Sequence, residues 1–158
     1  MFTKEEAVTI EQYLNDMPAN SSVYIGADSV KFKRKGVWWA RHTVAFIVHI
    51  GSKHGGKIFH TTVTERDYDP KKEKPRMRLM NEVYKAVEVY MQFAEILEDL
   101  PVEIHIDINT DEKHNSSIVL REALGYVKGM TGLDGVPKPD GWAASHAGDR
   151  GARGKFTH

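Results

Sequence analysis

No cysteine occurs anywhere in the 158-residue chain. That absence excludes disulfide frameworks, thiol nucleophiles and every cysteine-ligated metal site. It fits a reducing compartment, so a cytoplasmic location is expected. Net charge is also missing, because 22 Lys and Arg balance 22 Asp and Glu. A histone-like polyelectrolyte is thereby excluded, while local basic patches remain possible. No stretch holds eighteen apolar residues in a row, and the opening MFTKEEAVTIEQYL carries Glu5, Glu6 and Glu11 where a secretory leader needs an apolar core. Neither secretion nor membrane spanning is expected. The glycine segments GSKHGG and GLDG match neither a P-loop nor a dinucleotide fingerprint, so nucleotide-driven work is not expected. Internal repeats and low-complexity tracts are absent as well.

What remains is an ordinary globular composition, 41% hydrophobic in 17.9 kDa. Folding a chain of this mass buries roughly 70% of its unfolded surface, enough for an apolar core without staples. A single domain over residues 1–158 is expected. Thr3 and Glu6 form a capping box for a short helix over about 3–16, with Ala7, Ile10, Tyr13 and Leu14 at helical spacing. SVYIGADSVKF, VWWARHTVAFIVHI and KIFHTTVTERDY then read as three consecutive antiparallel strands, the first two joined through the charged turn KFKRKG. From Pro75 to Asp99 one long helix is predicted, with a polar stripe at Arg78, Asn81, Lys85, Glu88, Gln92, Glu95 and Asp99 facing solvent. PVEIHIDIN alternates as a strand, SSIVLREALGYVKG is a second long helix, and Asp140 caps a last helix through GWAASHAGDR. The tail 151–158 is expected to be loose.

Three carboxylates stand where solvation does not explain them. Asp28 follows YIGA inside a β-rich run. Glu82 lies about 100° from the polar stripe, in line with Leu79, Ala86, Val89 and Phe93. Asp107 ends a strand whose isoleucines already supply one buried face, and it shares its own face with His105 and Asn109. A salt bridge would explain each one singly. Together on one sheet they would repel one another and raise each other's pKa, an arrangement that hard, oxygen-ligated cations such as Mg²⁺ or Mn²⁺ neutralise. Asp149 adds a fourth carboxylate, one turn after Ser145 and His146 on the last helix.

An acid in the first of three antiparallel strands, a Glu in the next helix, an Asp at the end of the next strand and an Asp in the last helix is the ribonuclease H plan. More narrowly, the chain resembles the YkuK family of ribonuclease H-like proteins. The likeness runs through YIGADS (24–29), RLMNEV (78–83), HIDIN (105–109), ALGYVKGM (123–130) and KPDGWAASHAGDR (138–150) and covers roughly residues 20–150. It implies an α/β, ribonuclease H-like fold, a mixed five-stranded sheet of three antiparallel and then parallel strands flanked by helices. It also implies acidic positions at Asp28, Glu82, Asp107 and Asp149. Asp28-Ser-Val lacks the acid two residues later that DnaQ-like exonucleases carry, which speaks against a proofreading exonuclease.

Two ions held by such carboxylates would support phosphodiester hydrolysis, with His146 as a candidate for proton transfer. Lys31, Lys33, Arg34 and Lys35 in the first hairpin, and Lys138 in VPKPD, are candidate phosphate contacts; a second basic cluster, Lys71, Lys72, Lys74 and Arg76, precedes the long helix. Trp38 and Trp39 face opposite ways on a strand, and Trp39 is the candidate to stack on a base. The expected activity is a metal-dependent nuclease acting on RNA, an RNA:DNA hybrid or branched DNA. The alternative is a nucleic-acid-binding module without useful catalysis.

Overall fold

The computed structural model describes residues 1–51, 55–68, 76–109 and 114–145, the side chains of 109 and 114–117 excepted. Helix α1, Lys4–Asp16, begins on the expected capping box: the Thr3 hydroxyl accepts from the Glu6 amide at 3.1 Å, and the Glu6 carboxylate accepts from the Thr3 amide at 2.9 Å. Strands β1 (Ser22–Arg34) and β2 (Val37–His49) form a long hairpin. Its two-residue turn places Lys35 at φ 51° and Gly36 at φ 78°. Positive φ at both turn positions matches the right-handed twist of the flanking strands, which is why such turns join long hairpins. Strand β3, Gly56–Arg66, pairs antiparallel with β2.

The expected single helix over 75–99 is broken. Helix α2 spans Arg76–Gln92, Phe93 leaves helical geometry at φ −117° and ψ 16°, and a short α3 covers Ala94–Leu97. Phe93 is 1% exposed and packs edgewise on Phe2 and at a tilt on Phe46, so aromatic packing holds the break. Strand β4 is Val102–Asn109, helix α4 His114–Thr131 and strand β5 Gly135–Lys138. The sheet order is β3-β2-β1-β4-β5, antiparallel across the first three strands, with β1, β4 and β5 mutually parallel. This is the expected mixed five-stranded plan.

Strand alternation decides the two faces. Val23, Ile25 and Ala27 of β1, Val44, Phe46 and Val48 of β2, and Ile104, Ile106 and Ile108 of β4 form one buried face with Met80, Val83 and Val87 of α2 and Val119, Ala123 and Val127 of α4. The opposite face carries a smaller cluster, Ala45, Ile47 and Ala143 with Tyr24 and Ile58 at its margin. The segment after β5 crosses that face over Gly26, where an added Cβ would stand 2.4 Å from the Ala144 nitrogen. Only glycine allows so close a backbone approach. Among the described residues, no helix is long and apolar enough to cross a membrane.

The polar stripe assigned to α2 does not face solvent throughout. Arg78 and Lys85 are buried, and the exposed positions include Met77, Tyr84, Glu88 and Met91. Lys85 reaches under the helix to Glu65 of β3 at 2.7 Å. Charges facing each other between helix and sheet override the hydropathy pattern.

Candidate metal centre

Asp28 and Asp107 each lie two residues beyond Gly26 and His105, the last described pair of the β1–β4 ladder. Two residues preserve the side-chain phase, so both project from the same face of adjacent parallel strands. The neighbouring β4–β5 ladder also shifts register between Ile106 and Asn109, and such irregularities re-aim side chains. Glu82 comes from α2 on the opposite face and reaches the place where the ladder has ended. One carboxylate oxygen from each of Asp28, Glu82 and Asp107 lies within 4.8 Å of the other two. Glu82 is 3% exposed, as its position off the polar stripe predicted.

Neighbouring groups hold these carboxylates. The Ser29 hydroxyl donates to Glu82 Oε2 at 2.5 Å, and the Ser29 amide donates to Asp28 Oδ1 at 2.8 Å, so one residue orients two acids. Lys138 of β5 forms an ion pair with Asp107 Oδ1. Its ammonium therefore belongs to the acidic cluster in this structure, instead of standing apart as a phosphate contact. The donor set is entirely carboxylate oxygen, which suits hard cations of the Mg²⁺ and Mn²⁺ type. A cationic side chain already rests against it.

His105, 2% exposed, links this centre to the segment beyond β5. Its Nδ1 accepts from the amides of Trp142 and Ala143, both at 2.9 Å, while Nε2 lies 3.0 Å from Glu103 Oε1. Two amides aimed at Nδ1 leave the ring proton on Nε2, donated to Glu103. Burial pushes the imidazole below its ordinary pKa, against the opposing influence of Glu103. A neutral His105 thus anchors the stretch whose continuation holds His146 and Asp149. Those two residues lie outside the described residues, as do Lys71, Lys72 and Lys74.

The hairpin candidates stand apart from the acids. At about 3.3 Å per strand residue, the turn lies roughly 20 Å beyond Asp28. Lys31, largely buried, is 3.6 Å from Asp67 and sits over the Trp38 ring at 4.8 Å. Lys33 approaches the same ring at 5.6 Å, Arg34 lies over Phe32 at 5.7 Å, and Lys35 is exposed in the turn. Trp39 is half-buried, whereas Trp38 is 40% exposed. Trp38, not Trp39, is therefore the more exposed of the two rings. Strand parity divides the two tryptophans, but only packing tells which face is covered. Sequence reasoning missed Ser29, the pairing of Lys138, and the burial of Arg78, whose only signal was its place four residues before Glu82.

The family model for ribonuclease H-like proteins matches residues 6–153. The chain belongs to the ribonuclease H-like family. No curated protein matches it in sequence. Among solved structures it is similar to the prototype foamy virus protease-reverse transcriptase, at 9% identity and a TM-score of 0.43, over 88% of this chain and 21% of that one. It is also similar to endonuclease V from Bacillus subtilis, at 13% identity and a TM-score of 0.31, over 68% of this chain and 45% of that one. The chain thus spans less than half the length of either. The three clustered acids of this chain, Asp28, Glu82 and Asp107, come from β1, α2 and β4.

Proposed function

We propose that this ribonuclease H-like protein is a metal-dependent nuclease, cleaving phosphodiester bonds of RNA, an RNA:DNA hybrid or branched DNA in the cytoplasm. The observation that carries the reading is the convergence of Asp28, Glu82 and Asp107 within 4.8 Å, from adjacent strands and an opposing helix. Two Mg²⁺ or Mn²⁺ ions, when bound, would supply a nucleophilic water and stabilise the leaving oxygen. Asp28 and Asp107 would hold both, Glu82 and Asp149 one each. Ser29 keeps Glu82 and Asp28 oriented, so little reorganisation is needed on binding. Lys138, now paired with Asp107, would be displaced if that oxygen held a metal ion, and its ammonium would then be placed to face the substrate phosphate. His146 would assist proton transfer. Within the family, the strings at 24–29, 78–83, 105–109, 123–130 and 138–150 favour the YkuK group.

The second reading, a nucleic-acid-binding module without useful catalysis, draws on the Lys138–Asp107 pair, which relieves carboxylate repulsion without any metal. One experiment separates the two. The protein is incubated with Mg²⁺ or Mn²⁺ and a panel of single-stranded RNA, hybrid and branched DNA, with Asp28→Asn and Asp107→Asn as controls. Metal-dependent cleavage that both variants abolish supports the nuclease; salt-sensitive binding with no cleavage of any substrate supports the module and refutes the nuclease.

A further inference from the structure

A cavity of about 140 Å³, with a mixed polar and apolar lining, opens between the end of β3 and the first turns of α2. Its volume is several times the ~30 Å³ share of one water, room enough for a tetrahedral oxyanion. Arg78 lines it at 8% exposure, and its Nε, fully enclosed, has no hydrogen-bond partner among the described residues. A guanidinium cannot shed its charge, so burying one without an acceptor is costly unless something completes it. The carboxylates of the wall are already engaged. Glu65 takes Lys85 at 2.7 Å and lies 3.8 Å from His42, and Asp67 lies 3.6 Å from Lys31. Arg66 stands at the exposed rim with its guanidinium 5.2 Å from the Tyr68 ring. Asn81 adds an amide to the wall.

The cavity therefore presents two guanidiniums, one deep and one at the mouth, and its acids are matched by other cations. The planar fork of arginine suits a phosphate. Position narrows the source. Arg78 precedes Glu82 by one helical turn, about 6 Å along α2. At about 3.4 Å per nucleotide along a strand, that is a reach of one or two phosphates from the acidic centre. Depth narrows it further, because an internal diester carries a sugar on both sides and cannot follow its phosphate down to a side chain so enclosed. A terminal phosphomonoester can. Tyr68, 82% exposed beside the mouth, offers a ring for the terminal base.

We infer that the cavity lined by Arg78, Asn81 and Arg66 is an anchoring site for the terminal phosphate of a nucleic-acid strand whose neighbouring linkages lie at the acidic centre. The inference rests on the nuclease reading for the identity of the strand, but phosphate binding can be measured without cleavage. Metal-free protein in EDTA is titrated with inorganic phosphate, at ionic strength matched with sodium chloride. Parallel titrations use a short RNA bearing a 5′-phosphate, a 3′-phosphate or hydroxyl ends. The wild-type protein should gain thermal stability with phosphate beyond the chloride control. One of the phosphorylated strands should bind about tenfold tighter than the hydroxyl-ended strand, the size of one charge-assisted contact. Arg78→Met should lose both effects.

Should Arg78→Met fail to fold, Arg66→Gln at the exposed rim serves instead, and should weaken the phosphorylated strand while leaving the hydroxyl-ended strand unchanged. Equal affinity for all three strands, or a phosphate response retained in the variants, would overturn the inference. Absence of cleavage with these responses intact would refute the nuclease reading alone.

Discussion

Replacing Lys138 by Met keeps the chain length and apolar stem of the side chain and removes the cation that rests against Asp107. Two unit charges 4.8 Å apart repel by about 3.5 kcal/mol at an effective dielectric constant of ~20, and by about 0.9 kcal/mol in bulk water. The Lys138 side chain is 36% exposed and Asp107 10%, which places the pair between those limits, nearer the screened one. In EDTA, Lys138→Met should therefore lose about 1–2 kcal/mol of stability, read by urea denaturation. Saturating Mn²⁺ should abolish the difference, because a divalent ion neutralises the same carboxylates. The variant should also bind Mn²⁺ about tenfold more tightly by calorimetry, since no ammonium has to be displaced, a gain of about 1.4 kcal/mol. Lys138→Arg should behave like the parent. A Met variant as stable as the parent in EDTA, with unchanged Mn²⁺ affinity, would refute the view that Lys138 neutralises this centre.

Further outcomes follow from the same geometry. Glu82→Gln keeps an oxygen for the Ser29 hydroxyl, so the metal-free protein should hold or gain stability while Mn²⁺ uptake weakens; a steep fall in melting temperature with metal response unchanged would make Glu82 a structural ion-pair member. Gly26→Ala should cost about 1–3 kcal/mol, because its methyl meets backbone at Ala143 and Ala144 that cannot swing aside, and altered Trp142 fluorescence would report the displaced segment. His105 has a depressed pKa in the folded state, so its stabilising contribution is complete above the unfolded value of 6.5 and is lost as the pH falls through the folded value. Metal-free protein should accordingly weaken on acidification below about pH 6.5, and His105→Gln should flatten that part of the profile; an unchanged slope in the variant would assign the acid sensitivity elsewhere.

Local chemistry determined much of this protein. The capping box of α1, the alternation of β4 and the turn between β1 and β2 are set by neighbours a few residues apart, and all three are legible in the chain. Helical phase likewise isolates Glu82, since angular position depends only on residue count. Pairing between distant segments has no such local code. That β4 lies beside β1, with Asp107 in step with Asp28, follows from long-range sheet assembly, and the shared site of the three acids depends on it. The same holds for charge. Arg78 and Lys85 read as a solvent stripe because hydropathy counts a cation as exposed, whereas the sheet beneath α2 supplies Glu65 to one and a cavity to the other. Lys138 reads as a free loop cation, and only the register of β5 against β4 brings it to Asp107. Residue type and spacing determine which groups can do chemistry; tertiary packing decides which of them meet, because burial and opposite charge are properties of neighbours in space.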